Sequence, residues 1–206
     1  DPLVDAVAIA TPVNTHYHLA KKSLDKYKHV LIEKPISSTS VEAEKLISIA
    51  EKNNLSLMCD HTYCYSSAIR KIKNIIDDDV IGKILYYDST RINLGLFQND
   101  INVAWDLAPH DLSILFYLFD QKPLALNATG AIHSVKGIEN ISYISLYYPN
   151  NFIAHINVNW LSPLKQRKVI ITGDKKMLLW DDLNQSESIK IYDTGIGIEH
   201  FPEKDK

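Results

Sequence analysis

Three short apolar runs alternate with two helical segments over the first sixty residues, and this alternation restricts the fold more than any other feature. "VDAVAIAT" (4–11) is a near-continuous apolar, β-rich run with a turn-forming end, the pattern of a strand buried on both faces. "NTHYHLAKKSLDKY" reads as a helix with Asn14 or Thr15 as its cap. "HVLIEKP" is a second buried strand, stopped by Pro35. "SSTSVEAEKLISIAEKNN" is a second helix: Ser or Thr caps it, Leu46, Ile49 and Ala50 keep helical spacing, and Asn53-Asn54 end it. "LSLMCDH" is a third short strand. Strand–helix–strand–helix–strand with short loops requires parallel pairing and right-handed crossovers.

After residue 65 the texture changes. "SSAIRKIKNIIDDD" is one amphipathic helix, "GKILYYDSTRINLG" (82–95) a long strand, and 106–119 the next helix. From Leu124 onward the chain reads as a meander, with Pro149-Asn150-Asn151 and Gly173-Asp174 turning between antiparallel neighbours. Within "FIAHINVNW", Phe152, Ala154, Ile156 and Val158 fall on one face and Ile153, His155, Asn157 and Asn159 on the other. The second face is too apolar for a purely solvated surface and too polar for a core. No repeats or low-complexity tracts are present.

Composition narrows the function classes. The 206 residues are 46% hydrophobic and 23% charged, ordinary for a globular protein. A net charge of −3 carries no basic excess, which argues against nucleic acid as the main partner. No apolar run reaches the eighteen or so residues that span a bilayer, and no membrane partner is expected. The opening "DPLVDAVAIATP" lacks a basic leader region, so a cytoplasmic location is expected. Cys59 and Cys64 in "MCDHTYC" do not make a disulfide framework. A C-x4-C with His61 between lacks a second ligand pair, so no metal is expected.

Three stretches carry candidate chemistry. In "IEKP", Lys34 stands at the carboxyl end of a buried parallel strand, where open α/β sheets bind ligands. Desolvation there suits a lysine to proton relay or to polarising a hydroxyl; the alternative is a surface lysine in a strand-to-helix turn. "ATPVNTH" opens the first helix, so its backbone N–H groups and the Asn14 and His16 side chains face the same crevice edge, unless they serve only as caps. In "NVAWDLAPHDLSIL", Asp106 and His110 fall one helical turn apart, with Pro109 expected in the first turn. An acid within reach of a histidine fixes its tautomer and raises its basicity, as a general base needs; a buried histidine satisfied by its neighbour is the plainer reading. Asp111 reads as a first-turn acid favoured by the helix dipole.

"ATPVNTHYHLA", "VLIEKPIS" and "WDLAPHD", in this order and spacing, resemble the glucose–fructose oxidoreductase/inositol dehydrogenase (Gfo/Idh/MocA) family. The resemblance implies an α/β plus α+β fold. Residues 1–62 would be the second half of a parallel, Rossmann-type NAD(P)-binding domain. Residues 63–206 would be a dihydrodipicolinate-reductase-like substrate and oligomerisation domain with a large, mostly antiparallel open sheet. It implies Lys34, Asp106 and His110 as the catalytic group. It implies Thr11, Pro12, Asn14, His16, Glu33 and Lys34 at the dinucleotide site, and His61, Tyr63, Arg91, Asn93 and Trp105 around the substrate. Trp105 stands where many members carry glycines, and it would narrow the pocket or stack on a sugar.

The activity implied is an NAD(P)-dependent dehydrogenase of the CH–OH class, acting on a sugar, sugar nucleotide or cyclitol, in a homo-oligomer joined through the open sheet face. The family's G-x-G-x-x-G turn and acidic ribose-binding residue have no counterpart here, and none of the seven glycines precedes Gly82. The chain therefore reads as a fragment that binds dinucleotide weakly. The family's last helix and strand are expected beyond "GIGIEHFPEKDK". The rival reading is a non-catalytic remnant that binds or oligomerises without a cofactor site.

Overall fold

The computed structural model describes residues 1–95, 98, 100–133 and 137–193; the expectation about the segment ending in "GIGIEHFPEKDK" falls on residues outside these. The first unit runs β1 (Ala6–Ile9), α1 (Val13–Leu24), β2 (His29–Glu33), α2 (Ser40–Lys52) and β3 (Leu57–Asp60). The strands form a parallel sheet in the order β1-β2-β3, with Val7 opposite Val30 and Ile32 opposite Cys59. Ile9, Val30 and Ile32 pack on Ala20 and Leu24 of α1 and on Leu46 and Ala50 of α2. Each such fully buried aliphatic side chain contributes roughly 1.5–3 kcal/mol.

Two expectations change here. The strands are not buried on both faces: α1 and α2 cover one side, while Leu31 and Met58 remain 40% and 41% exposed. Neither Asn14 nor Thr15 caps α1. The helix starts earlier, at Val13, so Pro12 occupies the cap position and offers no side-chain bond. Thr15 Oγ1 instead donates to Pro12 O at 2.7 Å. Thr39 does cap α2, its hydroxyl accepting from Glu42 N.

A short 3₁₀ turn (Thr62–Tyr65) leads into the second unit: α3 (Ser67–Asp77), β4 (Ile84–Leu94), α4 (Val103–Phe119), β5 (Ala125–Ala131), β6 (Ile141–Tyr147), β7 (Ile153–Asn159), β8 (Leu161–Gly173), β9 (Met177–Asp181) and β10 (Ile189–Tyr192). The sheet order is β10-β9-β8-β4-β7-β6-β5. The expected meander is thus interrupted. β4 lies between β7 and β8, parallel to the first and antiparallel to the second. The physical reason is burial: Tyr87, Ser89 and Arg91 of β4 all point inward and are buried, and a buried strand needs a hydrogen-bonded partner on each edge.

The inner face of this sheet packs on α3 and α4 in one core containing Ile69, Ile72, Tyr87, Ile114, Leu115, Ile156 and Trp180. β7 alternates as read from the sequence, with Ala154, Ile156 and Val158 buried and Ile153 exposed. Gly173, at the end of β8, has a steric reason to be glycine: a Cβ there would lie 2.2 Å from the backbone oxygen of Ile81.

Candidate active site

Lys34 follows the last residue of β2, and α4 brings Asp106 to it from the other unit. Lys34 Nζ donates to Asp106 Oδ1 at 3.0 Å and to Asp106 O at 2.7 Å. Both side chains are only 17% exposed. The second carboxylate oxygen of Asp106 accepts from Trp160 Nε1 at 3.3 Å. Beside the pair lies a cavity of about 260 Å³, lined by Thr11, Pro12, His16, Lys34, Pro35 and Asp106 together with Gln98, Asp100 and Ile101. The ends of β1 and β2 thus open onto the start of α4.

α4 begins two residues ahead of Trp105. Asn102 caps it, accepting from Trp105 N at 2.9 Å. Pro109 therefore lies in the helix interior and not in its first turn, and its missing N–H leaves the Trp105 carbonyl without its helical donor.

His110 lies one turn beyond Asp106, but no Asp106–His110 hydrogen bond forms among the described residues. The Asp106 oxygens go to Lys34 and Trp160 instead. The expected rise in basicity is reversed as well. Burial pushes the His110 imidazole down to about 3, and the cations Arg91, Lys34 and Arg167 push the same way. Its Nδ1 is buried with no hydrogen-bond partner among the described residues. Burial and these three cations thus disfavour a proton on His110.

Several of the sequence's site residues do other work. His16 is buried, with Nδ1 2.9 Å from Pro35 O and Nε2 2.8 Å from Thr11 O. It ties together the two loops that wall the cavity, and its nitrogens are not free for a cofactor. Glu33 Oε2 accepts from Lys34 N at 3.1 Å, while Asn14 is exposed on the first turn of α1. Arg91 is 4% exposed and makes two hydrogen bonds to Asp111, Nε to Oδ2 at 2.7 Å and Nη2 to Oδ1 at 3.2 Å. Burial opposes its charge, yet Asp111 outweighs burial and holds the guanidinium above its ordinary range. Arg91 is therefore held in a core ion pair.

Trp105 Nε1 donates to Ser37 O at 3.0 Å, joining α4 to the loop after β2. Its indole lines a separate apolar groove of about 440 Å³ with His61, Pro109, Phe116 and Leu126, so it does not face the Lys34 cavity. Asn93 is half-buried near Gly95 and Trp160. His61 is lowered by burial, against the pull of Asp60. Cys59 is pushed up to about 11, chiefly by burial, and both cysteines are free thiols. No group of three metal-ligating side chains is assembled among the described residues.

No motif marks Ser89, which donates to Asp111 Oδ1 at 2.7 Å, and Asp111 itself carries more than its place in the sequence suggests. Asp111 lies nine residues into α4 and is buried, so it is no first-turn acid. One signal was present. Period-two reading of "YDSTR" puts Ser89 and Arg91 on the same inward face as Tyr87, and a buried arginine demands an acid.

A small parallel βαβ sheet joined at its strand ends to an α/β unit with an open sheet, with a lysine–carboxylate pair in the joint, is a two-part architecture built on a Rossmann-type sheet. Residues 1–61 match the oxidoreductase family, NAD-binding Rossmann fold, of Gfo/Idh/MocA, and residues 69–179 match the Gfo/Idh/MocA C-terminal domain. The chain belongs to the Gfo/Idh/MocA family.

Among its relatives, UDP-N-acetylglucosamine 3-dehydrogenase of Acidithiobacillus ferrooxidans is 28% identical over 197 residues, covering 94% of this chain and 60% of the relative. A solved structure of that enzyme superposes with a TM-score of 0.79 at 27% identity, over 92% of this chain and 61% of that one. An inositol dehydrogenase homologue from Azotobacter vinelandii, solved with NADH and myo-inositol, shares the fold with a TM-score of 0.81 at 20% identity. It covers 94% of this chain and 57% of its own. The chain thus spans roughly three fifths of the length of these relatives.

Proposed function

We propose that this protein transfers a hydride between a nicotinamide dinucleotide, NAD or NADP, and a hydroxyl or keto carbon of a sugar, sugar nucleotide or cyclitol. The observation that carries the reading is the Lys34–Asp106 pair. It bridges a strand end of the parallel sheet and the start of α4 beside a cavity walled by Thr11, Pro12 and His16. The residues present fit the nicotinamide end of such a cofactor. The first turn of α1 carries no capping side chain; Thr15 N donates to Pro12 O at 2.9 Å, which leaves the N–H groups of Val13 and Asn14 to a polar ligand. Thr11, Pro12, Asn14 and Glu33 would hold that end, and the bound cofactor supplies the hydride acceptor.

His110, kept neutral by burial and nearby cations, takes the hydroxyl proton only as negative charge developing on the substrate oxygen offsets those cations. Lys34 stabilises the oxygen as negative charge develops on it, and Asp106 keeps the ammonium in place. Asn93 remains a substrate-side group, and His61 and Trp105 would meet a substrate only where it extends into the apolar groove they line. A dehydrogenase relative that acts on a sugar nucleotide supports this substrate class. We place the division between the units at residue 62, the location in the cytoplasm, and the contact between copies on the outer face of the large sheet.

The test is reduced-nicotinamide formation with NAD and NADP against a panel of sugars, sugar nucleotides and cyclitols. With an active pair in hand, Lys34→Ala and His110→Ala are each expected to lower kcat by roughly a hundredfold or more. A near-parent rate for His110→Ala at neutral pH overturns its role as the base.

A further inference from the structure

The hydroxyl of Tyr63 is the meeting point of three polar side chains that the proposed reaction does not use. Arg91 Nη1 donates to it at 3.2 Å and Arg167 Nη1 at 3.1 Å, while the hydroxyl donates to Asp182 Oδ2 at 3.2 Å. Arg91 and Arg167 are register partners on β4 and β8, so both point to the inner face of the sheet, where α4 packs. The Arg91 guanidinium also lies over the Tyr63 ring, 4.7 Å from its centre. That ring meets the imidazole of His110 edge-on at 5.1 Å and the indole of Trp180 at 6.0 Å. The phenol is locked at both ends.

The two arginines differ in what else they hold. Arg91 is buried and bound to Asp111. The side chain of Arg167 is 38% exposed and reaches Asp182 at 3.4 Å through the same Nη1 that serves Tyr63.

We propose that Arg167, Tyr63 and Asp182 form a positioning cluster for His110. Arg167 and Asp182 clamp the phenol oxygen, and the clamped ring fixes the plane of the imidazole against α4. With its proton committed to Asp182, the hydroxyl does not compete for the unpartnered imidazole nitrogen. Arg167 adds a second effect through space. Among the described residues, the charged or titratable groups that face His110 are Arg91 on β4, Lys34 after β2, Arg167 on β8, His61 after β3 and the Tyr63 ring, with Asp106 and Asp111 on its own helix and Asp182 bound to Tyr63 and Arg167. Asp106, Asp111 and Asp182 each hold a cation already. Arg167 is one of the cations that disfavour a proton on His110, behind burial, Arg91 and Lys34.

The inference takes its meaning from the reading of His110 as a base, but its test does not depend on turnover. Imidazole resonances of His110 are followed by NMR in the chain itself, from pH 8 to the acid limit of the folded state. In the parent, His110 stays neutral with one tautomer down to about pH 4, and its midpoint lies at about 3. Arg167→Met is expected to shift the His110 ring signals and to raise its midpoint by about one pH unit. Arg167→Lys restores the charge and moves the midpoint back. Tyr63→Phe keeps the ring and loses the clamp, and is expected to broaden the signals or mix the tautomers.

If Arg167→Met does not fold, Arg167→Gln serves the same comparison. Unchanged His110 signals and midpoint in the Arg167 variant, or an equal shift at exposed His29, overturn the proposal. If these spectra behave as expected while His110→Ala remains fully active, the cluster stands and the catalytic reading falls.

Discussion

His110 and Asp111 are neighbours in sequence with opposite fates, and each leads to a measurable consequence. The folded-state value of His110 lies near 3, below the 6.5 of an unperturbed histidine. Between those limits the unfolded chain binds a proton that the folded site refuses. Stability is therefore complete above about pH 6.5 and declines as the pH falls through the window, by at most about 1.4 kcal/mol per unit. Urea titrations at pH 7 and pH 5 should show the parent losing roughly 1–2 kcal/mol more than His110→Gln. Equal losses would mean that the imidazole is not held neutral.

Asp111 carries the opposite burden. It accepts from Arg91 twice and from Ser89 once while 1% exposed. Asp111→Ala strands a buried guanidinium and is expected to cost about 3–5 kcal/mol in denaturant unfolding. A loss under about 1 kcal/mol would mean that water or another acid replaces it.

At the scale of elements, β4 and α4 organise the second unit. β4 has neighbours on both edges, and its inward residues Tyr87, Ser89 and Arg91 face α4, which supplies Asp111. α4 in turn reaches the first unit twice, through Asp106 to Lys34 and through Trp105 to Ser37. The start of β4 is gripped by the hairpin between β8 and β9, where Gly173 passes against the Ile81 carbonyl. Gly173→Ala forces a methyl into that contact and is expected to destabilise by roughly 1–3 kcal/mol. A thermal melt unchanged from the parent would show that the hairpin relaxes freely.

At the scale of the whole molecule, the outer face of the seven-stranded sheet is an extended exposed surface. Tyr86, Ile153 and Tyr147 are register partners across β4, β7 and β6, so they form one apolar row, each 40–44% exposed. Beside it, His155 lies 3.5 Å from Asp88 and stacks with Tyr143. A face of mixed character suits an isologous contact, in which the same patch serves both copies and about 1,500 Å² is buried in all. Sedimentation is expected to show a dimer at micromolar concentration and a monomer for Ile153→Glu. A dimer that survives Ile153→Glu places the contact elsewhere.

The legible parts of this protein were those set by local chemistry. Period-two and helical spacing gave the parallel unit its order, assigned α2 a Ser or Thr cap, which is Thr39, and separated Ile153 from Ile156 on β7. The ordered motifs around Lys34 and Asp106 pointed to a pair that the fold brings within 3.0 Å. What remained illegible depends on partners distant in the chain. The insertion of β4 between β7 and β8 leaves no local trace, because strand pairing is chosen by the burial of whole faces. The neutrality of His110 comes from burial and from cations at positions 34, 91 and 167. Spacing along α4 suggested that Asp106 would serve His110, and the fold gives that carboxylate to Lys34 and Trp160 instead. Sequence determined which groups are available; only tertiary structure decided which charge each one feels, because desolvation and Coulomb interaction depend on distance in space.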